Sequence, residues 1–180
     1  MGHVVPCCGG DAMTISIVDQ DVFTALRTFI TSVLPAGTEV VQSQDNGVPM
    51  PIGGFVAMNN AGTKRLSTNI GAYTTGTKSV TASLEYSIQL DFYGADASAW
   101  ANIVQVMFRD QYATDLLPVN IQPLYADDPM QIPLINGEGQ YEQRWKLTAV
   151  LQYNPIIAAA QQSATSLTIG LKEIESTFHP

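Results

Sequence analysis

The chain has 180 residues and carries 16 acidic against 8 basic side chains, a formal net charge of −8. That is the size of one domain, and the acidity argues against a nucleic-acid-binding face, which needs clustered Lys and Arg to displace counterions from phosphates. Only 13% of the residues are charged and 46% are apolar, against about 25% charged in an average domain, so Thr, Ser, Gln, Asn and apolar side chains must form much of the surface, as on a protein partly covered by neighbouring subunits.

Residues 1–13 read as a disordered leader, or one added ahead of the natural start, with Met13 as an alternative start. Cys7 and Cys8 are adjacent in this Gly-rich stretch. Neighbouring cysteines pair only through a strained ring, and with His3 they lack the fourth ligand of a zinc site. The leader has neither the basic start nor the apolar middle of a secretory signal, and no apolar run is long enough to span a bilayer. The cytoplasm is therefore the expected setting. Residues 14–180 are expected to form a single domain.

From Asp19 to Leu34, the residues Val22, Phe23, Leu26, Phe29, Ile30, Val33 and Leu34 recur at three- and four-residue steps, which predicts an amphipathic helix. Asp19 or Asp21 can cap it, and Pro35 with Gly37 ends it. Thr38 to Ser43 suits a strand, Asp45-Asn46-Gly47 a turn, and Phe55 to Asn59 a short strand. Pro49 and Pro51 keep the stretch between irregular. Asn60 to Ser79 is small and polar and contains Lys64, Arg65 and Lys78; it reads as a flexible loop or as a long, weakly patterned hairpin extending from the body.

Val80, Ala82, Leu84, Tyr86, Ile88, Leu90 and Phe92 alternate with polar residues, predicting one long strand with a buried and a wet face. Gly94 breaks it. A second helix is expected from about Asp96 to Tyr112, capped by Asp96 or Ser98, with Trp100, Ile103, Val104, Met107, Phe108 and Tyr112 on its apolar side. The four prolines between Ala113 and Gly139 predict short extended pieces joined by turns. Tyr141 to Tyr153 alternates again as a second long strand closed by Asn154-Pro155, and Leu167, Ile169 and Leu171 suggest a last edge strand. Two one-sided strands and two one-sided helices make a two-layer α+β domain, its sheet mixed or antiparallel and packed by two amphipathic helices.

Catalytic chemistry finds little to work with. The histidines, His3 and His179, lie in the terminal tails, which removes most nucleophilic and zinc chemistry. Asp127-Asp128-Pro129 reads most simply as a turn before proline, because adjacent carboxylates in an extended segment point apart. Gly53-Gly54 and Asn136-Gly137-Glu138-Gly139 lack the spacing, Lys and helix entry of a phosphate loop. Arg109-Asp110 and Glu142-Arg144-Lys146 are either ordinary surface ion pairs, each worth under about 1 kcal/mol, or subunit contacts. No catalytic, cofactor or metal residue is expected.

Two blocks in the second half of the chain are distinctive. One is Phe92-Tyr93-Gly94-Ala95-Asp96-Ala97 with Trp100-Ala101 and Phe108-Arg109-Asp110. The other is Pro123-Leu124-Tyr125-Ala126-Asp127-Asp128-Pro129, then Leu134-Ile135-Asn136-Gly137-Glu138 and Gln140-Tyr141-Glu142-Gln143-Arg144-Trp145. The series resembles the neck or tail terminator proteins of tailed bacteriophages and related prophages, over roughly Asp19 to Pro155. The resemblance implies a non-enzymatic α+β subunit of the virion, assembled in the host cytoplasm. It implies a homo-oligomer, typically a hexameric ring, that meets tail-tube and head–tail connector proteins and passes DNA through its lumen without specific binding. On this reading the expected contact residues are Lys64, Arg65 and Lys78 in the 60–79 segment, then Arg109, Asp127, Asp128, Glu142 and Arg144. The rivals are a tail-tube or head–tail connector protein, a carboxylate- or metal-dependent hydrolase built on Asp127, Asp128 and Glu138, and a monomeric binding module using the 60–79 segment.

Overall fold

The computed structural model describes residues 13–43, 51–135 and 141–161. The expected turn at 45–47, the Gly run at 136–139, Glu138, the strand at 167–172, the cysteines and both histidines lie outside these residues. In chain order the elements are β1 (Thr14–Ile15), α1 (Asp19–Val33), β2 (Glu39–Gln42), β3 (Phe55–Arg65), β4 (Ile70–Thr74), β5 (Thr77–Thr81), β6 (Leu84–Tyr93), α2 (Ala97–Phe108), α3 (Gln111–Leu116), β7 (Ile121–Ala126), β8 (Met130–Gln131), β9 (Leu134–Ile135), β10 (Tyr141–Glu142), β11 (Arg144–Tyr153) and β12 (Ile156–Ala160).

The main sheet has the order β2-β3-β6-β11-β7, with β8 also on β11. β2 and β3 run parallel and the other pairs antiparallel, so the sheet is mixed. One face is apolar. Val56 and Met58 of β3, Tyr86, Ile88, Leu90 and Phe92 of β6, and Leu147, Ala149 and Leu151 of β11 form a single buried cluster with Val22, Phe23, Leu26, Phe29 and Ile30 of α1. Phe23 meets Tyr86 edge-on with ring centroids 6.2 Å apart, and Phe29 meets Phe108 of α2 at 5.7 Å. The predicted α1 spacing is therefore the spacing that packs. Of its two candidate caps Asp21 does the work: its carboxylate accepts the backbone N–H of Val18 at 2.8 Å, the reach-back half of a capping box. Pro123 sits in β7, an edge strand, opposite a register shift in β11, where a missing N–H is tolerated.

Several elements differ from expectation. The helix predicted over Asp96–Tyr112 is two helices. The chain leaves α2 at Arg109, and Asp110 starts α3 by accepting the Tyr112 N–H at 3.0 Å, while the Asp96 side chain makes no capping bond. The buried face of α2 is Ala97, Ala101, Val104 and Phe108. Two alanines let the helix lie close to the sheet, so Trp100 and Met107 flank the core and Ile103 and Tyr112 stay exposed. Gly54 and Gly94 permit a similar approach. A Cβ on Gly54 would stand 2.6 Å from the Trp100 ring, and one on Gly94 would stand 2.8 Å from the Gly54 Cα.

The long strand predicted over Val80–Phe92 is broken at Ala82-Ser83 into β5 and β6, which belong to different sheets. The segment read as a loop or hairpin over Asn60–Ser79 is strand for most of its length: β3 runs on to Arg65, and β4 and β5 form a hairpin. Its weak pattern has a physical cause, because no side chain of β4 or β5 is buried and no alternation is imposed. β12, which directly follows Asn154-Pro155, was not anticipated.

These pieces form one design. The second sheet has the order β4-β5-β12-β1. Its first three strands are the continuations of β3, β6 and β11, the three adjacent central strands of the main sheet, in the same order. The common corner runs through Leu66, Ala82-Ser83 and Asn154-Pro155. Backbone bonds cross it from Leu66 N–H to Ser83 O at 3.0 Å and from Ala82 N–H to Pro155 O at 3.1 Å. Strands that bend from one sheet into another make such corners.

Candidate assembly surface

The extension sheet, β4-β5-β12-β1, has no buried residue on any strand. Register places Ile15, Ile157, Val80 and Gly71 in one row across all four strands, with Ala159, Lys78 and Tyr73 in another row on the same face. Ile15 is 51% exposed and Tyr73 64%. Ile156 and Ile70, both exposed, flank Thr81 on the opposite face. A sheet ordinarily buries one face against another layer, and none of the described residues supplies that layer here. β4 is an edge strand without proline or charge, the features that normally discourage further pairing.

Of the basic residues expected at contacts, Lys78 lies on this extension, and Lys64 and Arg65 end β3 of the main sheet beside it. Lys78 Nζ stands 5.4 Å from the Tyr73 ring centroid, in cation–π range. Arg65 Nε donates to Ser67 O at 2.9 Å, and its Nη2 donates to Asn69 Oδ1, which fastens the connection from β3 to β4. Lys64 is exposed and in register with Glu85 of β6. Between Asn60 and Leu84 the chain has three of its basic residues and no acidic one.

Arg109 and Asp128 come together at another surface. Arg109 Nε donates to Ala126 O at 3.0 Å, and its Nη2 reaches Asp128 Oδ1 at 3.5 Å. Gln105 Nε2 donates to the same Oδ1 at 2.7 Å, and the Asp127 N–H donates to Thr148 O at 2.9 Å. The Asp127-Asp128 turn is thereby tied to the end of α2 and to β11. α3 packs beside both α2 and β7, so Asp110 and Asp115 belong to the same region. Val106, Leu116 and Leu124 are exposed on these elements, while Tyr125, in register with Val150, points to the other face of the sheet. The Arg109–Asp128 pair is itself solvent-exposed and adds little to stability.

Arg144 does something else. It was expected on a wet face, in a surface ion pair or a subunit contact; its Nε and Nη2 donate to Asp91 Oδ1 at 3.2 and 3.1 Å. Asp91 is only 1% exposed. Its other oxygen accepts from Gln89 Nε2 at 2.7 Å and Asn59 Nδ2 at 3.2 Å. Sequence reading missed Asp91, since its parity along the strand is that of a wet-face residue. The guanidinium also lies 5.8 Å from the Tyr93 ring, and Tyr93 stacks on Phe55 at 4.6 Å. Burial raises the Tyr93 phenol above its usual pKa, with Arg144 opposing that rise and Asp91 and Glu142 adding to it. Phe55, Tyr93, Trp100, Leu134 and Glu142 line a groove of about 1000 Å³ beside this network. Lys64, Arg65 and Lys78 thus share one surface and Arg109, Asp127 and Asp128 another, while Glu142 and Arg144 lie by the groove.

Among the described residues no group of three His, Cys, Asp or Glu side chains is placed to hold a metal ion. No helix among them is long and apolar enough to cross a membrane.

Residues 20–177 match the family described as phage neck terminator protein. No curated protein matches the chain. Among solved structures, the sheath/tube terminator of an extracellular contractile injection system (PVC), determined by cryo-EM in its extended state, is similar at 14% identity with a TM-score of 0.44. The match covers 90% of this chain, which spans 65% of the length of that one.

Proposed function

We propose, from the premise that this chain belongs to the phage neck terminator family, that it is a structural virion subunit that closes into a ring at the head–tail neck or the end of the tail tube. There it stops tube growth and joins tail to head, without catalysing a reaction. The ring is a hexamer, its partners are the tail-tube and head–tail connector proteins, and assembly takes place in the host cytoplasm. A lumen that shares the chain's net negative charge repels DNA phosphates and lets the genome pass without adhering.

The observation that carries this reading is the extension sheet. Among the described residues nothing buries the side chains of these four strands, and a neighbouring molecule would cover their apolar rows. A surface with so few charges fits the same account.

Light scattering over a range of concentrations, paired with negative-stain electron microscopy, tests the proposal. The expected result is closed rings with a mass near six subunits. Long hollow rods would make the chain a tube protein instead, because a repeating contact that fails to close generates a filament. A monomer at every concentration would count against ring formation by the free subunit.

A further inference from the structure

We infer that the extension sheet, together with the basic end of β3 beside it, is the donor half of the contact between copies, and that it docks onto the surface of a second copy where the acidic turns flanking α3 and β7 meet α2. The inference rests on the assembly reading above and names the two surfaces that meet. Each half is incomplete in a way the other repairs. The extension presents Ile15, Ile157, Val80 and Tyr73 in rows and carries Lys78, and Lys64 and Arg65 end β3 beside it, with Glu85 in register opposite Lys64. The receiving surface presents Val106, Leu116 and Leu124 exposed on elements flanked by Asp110, Asp115, Asp127 and Asp128. Arg109, a cation on this surface, is already engaged with Ala126 O and Asp128.

Opposite charge on two mixed apolar surfaces of one molecule gives a head-to-tail contact, which closes into a ring when the rotation allows. A self-complementary contact between two extensions would instead set Lys64, Arg65 and Lys78 against their own copies. A stable contact needs roughly 800 Å² from each partner.

The test is charge exchange. Lys64→Glu with Lys78→Glu reverses the extension and leaves Arg65 holding its turn. Asp115→Lys with Asp127→Lys reverses the receiving surface and leaves Asp110 and Asp128 in their local bonds. Each double variant is expected to weaken assembly at least tenfold by light scattering or sedimentation, with the subunit still unfolding cooperatively and only slightly lowered in melting temperature where Lys64→Glu faces Glu85. All four changes in one chain are expected to restore it to within about threefold, since the charges are exchanged rather than lost.

An extension variant that assembles like the wild type overturns the inference, as does a fourfold variant no better than the weaker double. Salt gives an independent measure on the unaltered protein. Raising NaCl from 50 to 500 mM is expected to increase the apparent dissociation constant at least tenfold, and a flat salt dependence overturns the charge pairing. A wild type that assembles while the variants have no effect rejects only these surfaces. A wild type that never assembles rejects the ring reading and the inference with it.

Discussion

At Asp91 a buried carboxylate is held by side chains from three strands: Asn59 of β3, Gln89 of β6 and Arg144 of β11. Truncating it would leave the Arg144 guanidinium, itself only 24% exposed, without its counter-ion. Asp91→Ala should therefore cost about 3–5 kcal/mol in denaturant unfolding, while Arg109→Ala, which breaks an exposed pair, should cost under about 1 kcal/mol in ion-pair energy. Equal losses would contradict the burial argument. Tyr86 gives a pH signature. Burial first, then the negative charge of Asp19, holds its phenol well above the usual value of 10.0, so the folded protein keeps the proton longer than the unfolded chain does. Stability from this source is complete below about pH 10 and falls as the pH rises beyond it. Tyr86→Phe should flatten that alkaline loss in unfolding curves and cost about 1 kcal/mol at neutral pH, for the bond that Tyr86 Oη accepts from Asn60 at 2.8 Å. An unchanged alkaline limb would move the effect to Tyr93 or Tyr153, both also raised by burial. Asp91 was not legible as a buried residue, because alternation reports which face a side chain takes and not what its register partners supply there.

At the level of elements, legibility followed burial. α1, β2 and β11 were readable because each sets an apolar stripe or row against the core, and β6 was readable for the same reason. The corner between β5 and β6 was hidden because alternation runs unbroken through Ala82 and Ser83, so the sequence keeps period two while the chain changes sheet. β4 and β12 were hidden because neither has a buried partner to impose a pattern. The break between α2 and α3 could have been found: Arg109-Asp110 offers a polar pair and a capping side chain in mid-run. Of the residues expected at contacts, Arg109 and Asp128 are brought together by the fold, and that pairing cannot be read without the tertiary structure. Gly94 takes φ +106 and has no room for a Cβ against Gly54. Gly94→Ala should cost more than about 1 kcal/mol through strain and displacement together. Gly76→Ala, at φ +81 with open space around it, should cost less, as measured by thermal unfolding.

In the whole molecule the two sheets should differ in local stability. β6 and β11 lie at the centre of the buried sheet, so their amides should exchange with solvent only through global unfolding. The outer strands of the extension, β4 and β1, should exchange faster in the free subunit and slow by at least tenfold on assembly. Uniform protection in the monomer would mean that something already covers the extension. The shared corner has a mechanical meaning as well. Three neighbouring strands pass from core to extension without a flexible tether, bonded to one another at the bend, so a pull on the extension is delivered along three backbones into the middle of the main sheet. Hydrogen bonds loaded side by side in this way resist shear together instead of peeling singly. A joint wired like that passes tension from the extension into the core without unzipping.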